Sequence, residues 1–335
     1  METKHKKQPS DMDLMKLFDQ FGTDQKCRMY LERLRWPNGI RCIRCDSIKI
    51  SFIYKRNQFT CDSCDYRFSV TAGTIFHDSH LPLPKWFAAV FLLCESKKGM
   101  SALQLKRTLK VAYKTAWYLC HRIREAVKEA DTDLIGKDGI VECDEAYIGG
   151  NPKNMHKSKL AKLSRGLAGY DHKIMILGAI ERGGAVRLSV QKGRANKEVL
   201  HAFIKAKLSE DTRAIMTDEH KGYKGIGDWN TIHVAVNHSR GRYVYGIAHT
   251  NTLENVWSLF KRSIVGSYHQ ISVKHMERYL DEFEFRFNNR NNPYLFRDTM
   301  RRLLASSNLE YKELIQPEGE VNGRKHKANR GEQPD

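Results

Sequence analysis

The chain has 335 residues, enough for two or three domains that each bury their own hydrophobic core. Lysine and arginine number 57 against 39 acidic residues, and the formal net charge of +18 favours a polyanionic partner such as nucleic acid. No stretch is long and apolar enough for a membrane span, and the first residues lack the apolar core of a secretory signal. We therefore expect a cytoplasmic protein that associates with nucleic acid and has no membrane partner.

The cysteines also point to a reducing compartment. Four of the eight fall into two CxxC pairs, and the other four are scattered through segments with apolar periodicity. The scattered ones are Cys27, Cys94, Cys120 and Cys143. Isolated thiols and CxxC pairs are typical of intracellular proteins, whereas secreted proteins use cysteine mainly in disulfides.

The first predicted element is a helical leader within residues 1–35. Apolar residues recur between Asp11 and Arg35 at the three-to-four-residue spacing of one helix face. They include Leu14, Leu17, Phe18 and Phe21. The segment Trp36–Gly39 contains a proline and a glycine and is expected to end this helix.

A small zinc ribbon is predicted in residues 36–78. Its CxxC pairs are Cys42 with Cys45 and Cys61 with Cys64, and fifteen residues separate the pairs. Each pair can present two thiolates to one tetrahedral ion, and the metal replaces a core that so short a module cannot build. Disulfides are the alternative, but the spacing favours one structural zinc ion without an open position for catalysis. Residues 48–54 and 58–68 are rich in β-branched and aromatic side chains and are predicted strands.

Residues 79–135 are predicted to be helical and to contain a helix-turn-helix. Ser101 can cap a short helix, Ala102–Leu109, and a second helix, Lys114–Val127, follows closely. Lys114 and Arg122 occupy polar positions of the second helix, so they are candidate DNA contacts. A plain helical hairpin would show the same pattern.

The segment 136–310 is predicted to be an α/β domain with a mixed sheet and flanking helices. Its β-prone runs cover 139–143, 173–180, 185–190, 214–217 and 232–236. A predicted helix, 197–208, lies between the third and fourth runs, and further helices close the domain. The polar segment 311–335 is predicted to be a disordered tail.

Two aspartates are predicted to lie at the ends of neighbouring strands, Asp144 after the first run and Asp218 after the fourth. Paired carboxylates repel each other but are well suited to share divalent cations. Glu254 lies at the start of a predicted helix, Leu253–Ile264, and would add a third carboxylate. Lys261 follows two helical turns later on the same face, where its ammonium could bind a phosphate.

Each of these residues also has a purely structural explanation. An aspartate after a strand is usually a turn former, and a lone helical lysine is usually solvated. Asn251 lies three residues before Glu254, so the pair could form a capping box. Together, however, the residues favour a site that holds two Mg²⁺ ions roughly 3.5–4 Å apart for in-line phosphoryl transfer, with Mn²⁺ as a substitute.

Several strings resemble one known family, the bacterial insertion-sequence transposases that carry an N-terminal zinc ribbon. This ISXO2-like group is related to the eukaryotic Merlin transposases. The matching strings are Arg35–Gly39, Asp144–Gly150, His249–Arg262 and His275–Arg290. Their order and spacing agree with the family across about Cys27 to Arg290.

The resemblance implies a ribonuclease H-like catalytic domain in which Asp144, Asp218 and Glu254 are the catalytic acids and Lys261 is their basic partner. Some members carry asparagine at the third position, which makes Asn251 the alternative ligand. The family's activity implies binding of terminal inverted repeats, cleavage of the transposon ends and joining of the 3′ hydroxyl to target DNA. A homo-oligomer that pairs two ends is expected.

Further basic residues of the α/β segment are candidate DNA contacts. They are Lys153, Lys157, Lys159, Lys162, Arg165, Arg240 and Arg242. Solvated loops are the simple explanation, but contact with the DNA backbone is favoured beside a phosphate-handling site. Two other functions stay open: a DNA-binding protein that has lost catalysis, and a ribonuclease H-like nuclease that cuts without joining.

Overall fold

The structure is a computed structural model that describes residues 12–128, 133–149, 173–191, 194–226, 231–236 and 250–316. Within these residues, no helix combines the length and apolar character that a membrane crossing requires. The described strands form a three-stranded sheet and a five-stranded sheet.

The leader forms two helices, α1 (Leu14–Phe21) and α2 (Asp24–Arg35), where the sequence predicted one. The helical conformation is interrupted before Thr23, whose hydroxyl accepts a hydrogen bond from the Lys26 backbone N–H at 3.3 Å and so caps α2. Periodicity alone missed this break because apolar positions recur on both sides of it.

The ribbon is an antiparallel sheet with its strands in chain order. They are β1 (Ile50–Ile53), β2 (Gln58–Cys61) and β3 (Arg67–Phe68). Its small core is aromatic, because the Trp36 ring packs edge-on against Phe59 and Phe68 with centroid separations of 5.6 and 5.9 Å. So few buried side chains cannot stabilise a module of this size alone, which leaves a structural role for a metal.

Three helices follow the ribbon. They are α3 (Leu83–Glu95), α4 (Ala102–Leu109) and α5 (Tyr113–Val127). The predicted cap of α4 is confirmed, since the Ser101 hydroxyl accepts a hydrogen bond from the Gln104 N–H at 3.2 Å. Lys110 then adopts a left-handed conformation with φ of 52°, which turns the chain sharply towards α5. Helices α4 and α5 therefore occupy the predicted positions of the helix-turn-helix.

The larger sheet has the strand order β6-β5-β4-β7-β8. The strands are β4 (Ile140–Ile148), β5 (Ile174–Glu181), β6 (Val186–Gln191), β7 (Ala214–Asp218) and β8 (Ile232–Val236). Strands β4, β5 and β6 are antiparallel neighbours, whereas β7 and β8 run parallel to β4. This topology is ribonuclease H-like and confirms the predicted mixed sheet. Strand β4 continues past its predicted end at Cys143 because it stays paired with β5.

Helices cover both faces of this sheet. They are α6 (Lys197–Lys207) on one face, and α7 (Asn251–Ser263) and α8 (Met276–Asn288) on the other. Leu200 of α6 shares a buried core with Val141 of β4, and Phe260 of α7 shares a second core with Ile176 of β5. A five-residue π-helical turn, Ile264–Tyr268, extends α7.

The last described helices, α9 (Leu295–Ala305) and α10 (Tyr311–Ile315), belong to the helical part of the molecule. Met300 of α9 and Leu314 of α10 share one buried core with Leu17 of α1 and with residues of α3, α4 and α5. The leader, the helix-turn-helix region and the last helices therefore form a single helical domain.

This packing differs from the predicted boundaries. The segments 1–35 and 79–135 were predicted as separate units, but their described residues share one core with helices that were assigned to 136–310. The tail predicted from residue 311 begins with a helix in which Leu314 is only 1% exposed, while 317–335 lie outside the described residues. Apolar periodicity identifies the buried face of a helix but not the partner it meets.

A buried polar network joins the helical domain to the α/β domain. Glu282 of α8 accepts hydrogen bonds from Arg124 of α5 at 2.6 Å, Arg286 at 3.2 Å and the Tyr268 hydroxyl at 2.8 Å. A Cβ atom at Gly99 would lie 1.8 Å from that hydroxyl oxygen, so the loop before α4 needs glycine at this point. The network ties the π-helical turn after α7 to α5.

Candidate functional sites

The four ribbon cysteines converge on one point. The Sγ atoms of Cys42 and Cys64 are 3.7 Å apart, those of Cys45 and Cys61 are 3.5 Å apart, and all four lie within 4.8 Å of one another. None of the four forms a disulfide. Four thiolates at about 2.3 Å from a tetrahedral ion would have this separation, so the cluster fits a structural zinc ion. The predicted four-cysteine site is confirmed.

Two equivalent turns present these thiols. Each CxxC pair is followed by an aspartate in the left-handed region, Asp46 with φ of 57° and Asp65 with φ of 55°. The Asp46 N–H donates to the Cys42 carbonyl at 3.0 Å, and the Asp65 N–H donates to the Cys61 carbonyl at 2.9 Å. Aspartate tolerates this backbone region better than most residues. The repeated CxxCD string was thus a further signal of two matching turns.

Replacement of Cys61 by serine is expected to remove the zinc and unfold the ribbon, because one of four ligands is lost from a module with little core. Metal analysis should find one zinc ion per chain in the wild type and almost none in Cys61→Ser. Cys27→Ala is the matched control, since Cys27 is buried outside the cluster and should not affect zinc content. A full zinc complement in Cys61→Ser would contradict the site.

Asp144 and Asp218 lie side by side on parallel strands. The pairing of β4 with β7 ends at Glu142 opposite Met216, and each aspartate is two residues beyond this pair. Both side chains therefore project from the same face at the same level, on strands about 4.8 Å apart. Asp218 ends its strand as predicted, and its carboxylate accepts a hydrogen bond from the His220 N–H at 3.0 Å.

The carboxyl group of Asp144 is buried beside two other acids. Burial raises its pKa to about 7, and the charges of Glu145 and Asp218 act in the same direction. A hydrogen bond from the Trp257 indole N–H to Oδ2, at 3.0 Å, opposes this rise. A divalent cation at this place would relieve the repulsion among the acids.

Glu145 is an acid near the site that sequence reasoning did not select. It follows Asp144 in the strand, so its side chain projects from the opposite face, where the Tyr223 hydroxyl donates to it at 2.9 Å. Burial and the charge of Asp218 raise the pKa of Glu145. Its acidity beside Asp144 in the sequence was a signal, and Glu145 lines the space between β4 and α7 together with Asp144.

A second missed residue, Glu142, anchors the helix that carries Glu254. The fully buried carboxylate of Glu142 accepts hydrogen bonds from the backbone N–H groups of Thr252 and Leu253, at 2.9 and 3.0 Å. It also accepts from the Thr252 hydroxyl at 2.9 Å and from Arg182 at 2.8 Å. This carboxylate on β4 thus caps α7 and fixes the helix start above the sheet.

The structure therefore excludes the alternative in which Asn251 and Glu254 form a capping box. The residue at the N-cap of α7 is Thr250, and it makes no side-chain capping bond. The free backbone donors are satisfied by Glu142 instead, so Glu254 is exposed on the helix surface. Its carboxylate is available for another role.

A groove of about 730 Å³ lies between β4 and α7. Asp144, Glu254 and Lys261 line it together, so these three predicted residues share one space, with Asp218 beside Asp144 on β7. Asn251 does not line the groove. Among the described residues, the four cysteine sulfurs form the one group of three or more potential metal ligands that lie within 4.8 Å of one another.

The candidate DNA contacts have different surroundings. Lys114 is exposed at the first turn of α5, with its ammonium 4.4 Å from the Tyr311 ring centroid. Arg122 is only 3% exposed, and one of its guanidinium nitrogens donates to the His77 carbonyl and to Asn308, both at 2.6 Å. The prediction that Arg122 contacts DNA is therefore wrong, because its charged group is used inside the helical domain.

The other predicted contacts lie outside the described residues. They are Lys153, Lys157, Lys159, Lys162, Arg165, Arg240 and Arg242.

Comparisons with known proteins agree with this architecture. The model of the ISXO2-like transposase domain matches residues 137–288, and the model of the transposase zinc-ribbon domain matches 22–67. A curated relative is an uncharacterized protein in transposable element ISH50 of Halobacterium salinarum. It is 26% identical over 276 residues, which cover 79% of this chain and 91% of the relative.

A solved structure with some likeness is the crystal structure of the Mos1 strand transfer complex. It is 13% identical, the match covers 67% of this chain and 78% of that one, and the TM-score of 0.28 is too low to support an argument. The two domain models together match more than half of the chain, in the order in which the ribbon and the α/β domain occur. The chain therefore carries a transposase zinc-ribbon domain followed by an ISXO2-like transposase domain.

Proposed function

We propose that the protein is an active DNA transposase that cuts the ends of its element and joins the 3′ hydroxyl to target DNA. The observation that carries this proposal is the groove between β4 and α7. Asp144, Glu254 and Lys261 line it, and Asp218 projects from the neighbouring strand at the level of Asp144. Three acids and one ammonium in this arrangement suit phosphoryl transfer on a polyanion.

Asp144, Asp218 and Glu254 would hold divalent cations, with Mg²⁺ as the expected metal and Mn²⁺ as a substitute. Anionic oxygens are the ligands that Mg²⁺ prefers, and a bound cation would offset the burial and the repulsion from Glu145 and Asp218 that raise the pKa of Asp144. Bound cations activate the attacking oxygen and stabilise the leaving oxygen in such reactions. Glu254 is the better third ligand, because it lines the groove with Asp144 and offers an anionic oxygen, whereas Asn251 offers a neutral amide.

Lys261 binds a phosphate of the DNA strand in this proposal. It lies two helical turns after Glu254 on the wall of the same groove, and Arg262 beside it adds a second cation. Water serves as the nucleophile during cleavage and a DNA 3′ hydroxyl during joining, so one site performs both displacements.

DNA is the partner, and the net charge of +18 would attract it through its phosphates. Lys114 is placed to contact the backbone, because residues in the first turns of a recognition helix approach the duplex most closely. Two transposon ends must be brought together before joining, so the working form is a homo-oligomer.

The proposed activity can be tested with DNA that carries the inverted repeats flanking the gene. In the presence of Mg²⁺, the zinc-loaded protein should cut at the repeat ends and join them to a target plasmid, and EDTA should stop both steps. Cleavage without joining would identify a nuclease instead. Binding without either step would identify a DNA-binding protein that has lost catalysis.

The third ligand can be identified by comparing two variants in the same assay. Glu254→Gln should lower cleavage by roughly two orders of magnitude or more, a loss of about 3 kcal/mol in transition-state stabilisation. Asn251→Ala should retain most of the activity, because Asn251 lies outside the groove lining. The reverse result would make Asn251 the ligand and Glu254 a solvated residue.

A further inference from the structure

Asp144 has an unusual cross-strand neighbour. Strand β5 places Gly178 directly opposite Asp144, so no side chain stands beside the carboxylate on that strand. The indole of Trp257, from α7, fills this space. A Cβ atom at position 178 would lie 2.6 Å from Cζ2 and from Cη2 of Trp257, both in the six-membered ring. Only glycine leaves room for the indole at this place.

The same indole is hydrogen-bonded to Asp144. Its Nε1–H donates to Oδ2 of the carboxylate at 3.0 Å, and the Trp257 side chain is 5% exposed. A hydrogen bond to a charged acceptor is stronger than one between neutral groups, and shielding from water strengthens it further. The other oxygen, Oδ1, can then bind a cation.

Trp257 also connects Asp144 to the other wall of the groove. It lies three residues after Glu254, one turn along the same helix, and both residues line the groove. The indole therefore sets the distance between α7 and β4 at the level of the two acids. A buried indole N–H needs an acceptor, and here that acceptor is a candidate metal ligand.

We propose that Trp257 is a positioning residue for Asp144. Gly178 makes this contact possible, because its lack of a side chain leaves space for the indole beside the carboxylate. Trp257 holds Oδ2 in one orientation, keeps the carboxylate from rotating, and so presents Oδ1 together with Glu254 to one cation. This inference rests on the proposed function, because it assumes that Asp144 binds the catalytic metal.

Two substitutions separate the parts of this arrangement. Trp257→Phe keeps an aromatic ring but removes the N–H donor. Gly178→Ala keeps the donor, but its methyl group would clash with the indole and displace it from Asp144. Each should weaken Mn²⁺ binding to the full-length, zinc-loaded protein by about tenfold to a hundredfold, as is usual for partners that orient a metal ligand. Isothermal titration calorimetry measures the affinity, and thermal unfolding verifies that each variant is folded.

The double variant and a glycine control sharpen the test. A phenyl ring does not extend to the positions of Cζ2 and Cη2, so adding Gly178→Ala to Trp257→Phe should change Mn²⁺ affinity less than twofold. Gly266→Ala is the control, because a Cβ atom there would have no heavy atom within 4 Å. Its Mn²⁺ affinity should equal that of the wild type.

The Asp144→Asn variant distinguishes a failure of the positioning role from a failure of the proposed function. Wild-type Mn²⁺ affinity in Asp144→Asn would show that the proposed metal site itself is wrong. Loss of binding in Asp144→Asn with wild-type affinity in both Trp257→Phe and Gly178→Ala would overturn the positioning role and leave Trp257 as a packing residue. Weakened binding in both single variants, with no further loss in the double variant, is the expected result.

Discussion

Asp144→Asn should lower DNA cleavage and strand joining at least about 10³-fold, which corresponds to roughly 4 kcal/mol of lost transition-state stabilisation. The substitution keeps the size of the side chain and its acceptor for the Trp257 N–H, but it removes the anionic charge that a metal needs. The same loss is expected for Asp218→Asn, because Asp218 projects at the same level on the neighbouring strand. Gel assays of end cleavage and plasmid joining measure both steps.

Glu219→Gln is the matched control for these variants. Glu219 follows Asp218 directly but is exposed after the end of the strand, so its charge can be removed without touching the groove. Its activity should remain within about twofold of the wild type. Asp144→Asn and Asp218→Asn should also fold normally, and their unfolding midpoints should not fall, because removing one of several repelling acids relieves strain. Wild-type activity in either aspartate variant would rule out this active site.

Glu142→Gln should strongly lower the free energy of unfolding. The carboxylate accepts four hydrogen bonds, from Arg182, the Thr252 hydroxyl, and two backbone donors of α7. Glutamine keeps the volume, but its NH₂ group would face donors instead of accepting from them. We expect the free energy of unfolding to fall by about 3 kcal/mol, since a buried charge pair and a helix cap are lost together. Urea unfolding followed by tryptophan fluorescence measures this change.

A glutamate in a comparable helix position provides the control. Glu198 lies in the first turn of α6, where it is exposed and the cap is supplied by Asn196. Glu198→Gln should cost only about 0.3–1 kcal/mol, the contribution of an exposed charge near a helix start. If Glu142→Gln were no more destabilising than Glu198→Gln, then Glu142 would not anchor α7. Cleavage should also fall in Glu142→Gln, because Glu254 is carried by the same helix.

Features with local signals could be predicted from the sequence. The CxxC pairs identified the zinc site because two cysteines three apart already define a metal-binding turn. The bounds of strand β7 were predicted to within one residue, because a short apolar run is followed there by a charged residue. Asp218 is that residue, and it ends the strand. Glu254 and Lys261 share the groove because seven residues are two helical turns.

Features that depend on distant contacts could not be predicted. Arg122 has the spacing of an exposed recognition residue, but its partner Asn308 is 186 residues away in the chain. The cap of α7 comes from Glu142, 110 residues before Thr252, so the local capping box was the only explanation visible in the sequence. Gly178 likewise acquires its meaning only when β5 pairs with β4 and α7 covers both.

The shared core of the helical domain has a consequence for how the protein is made. Leu17 and Leu105 leave the ribosome long before Met300 and Leu314, yet all four are buried in one core. A nascent chain that already holds the complete sheet, up to β8, still lacks α9, so the parts of α2, α3 and α5 that α9 covers have no partner. We therefore expect the helical domain to close last, after the final helices have left the ribosome.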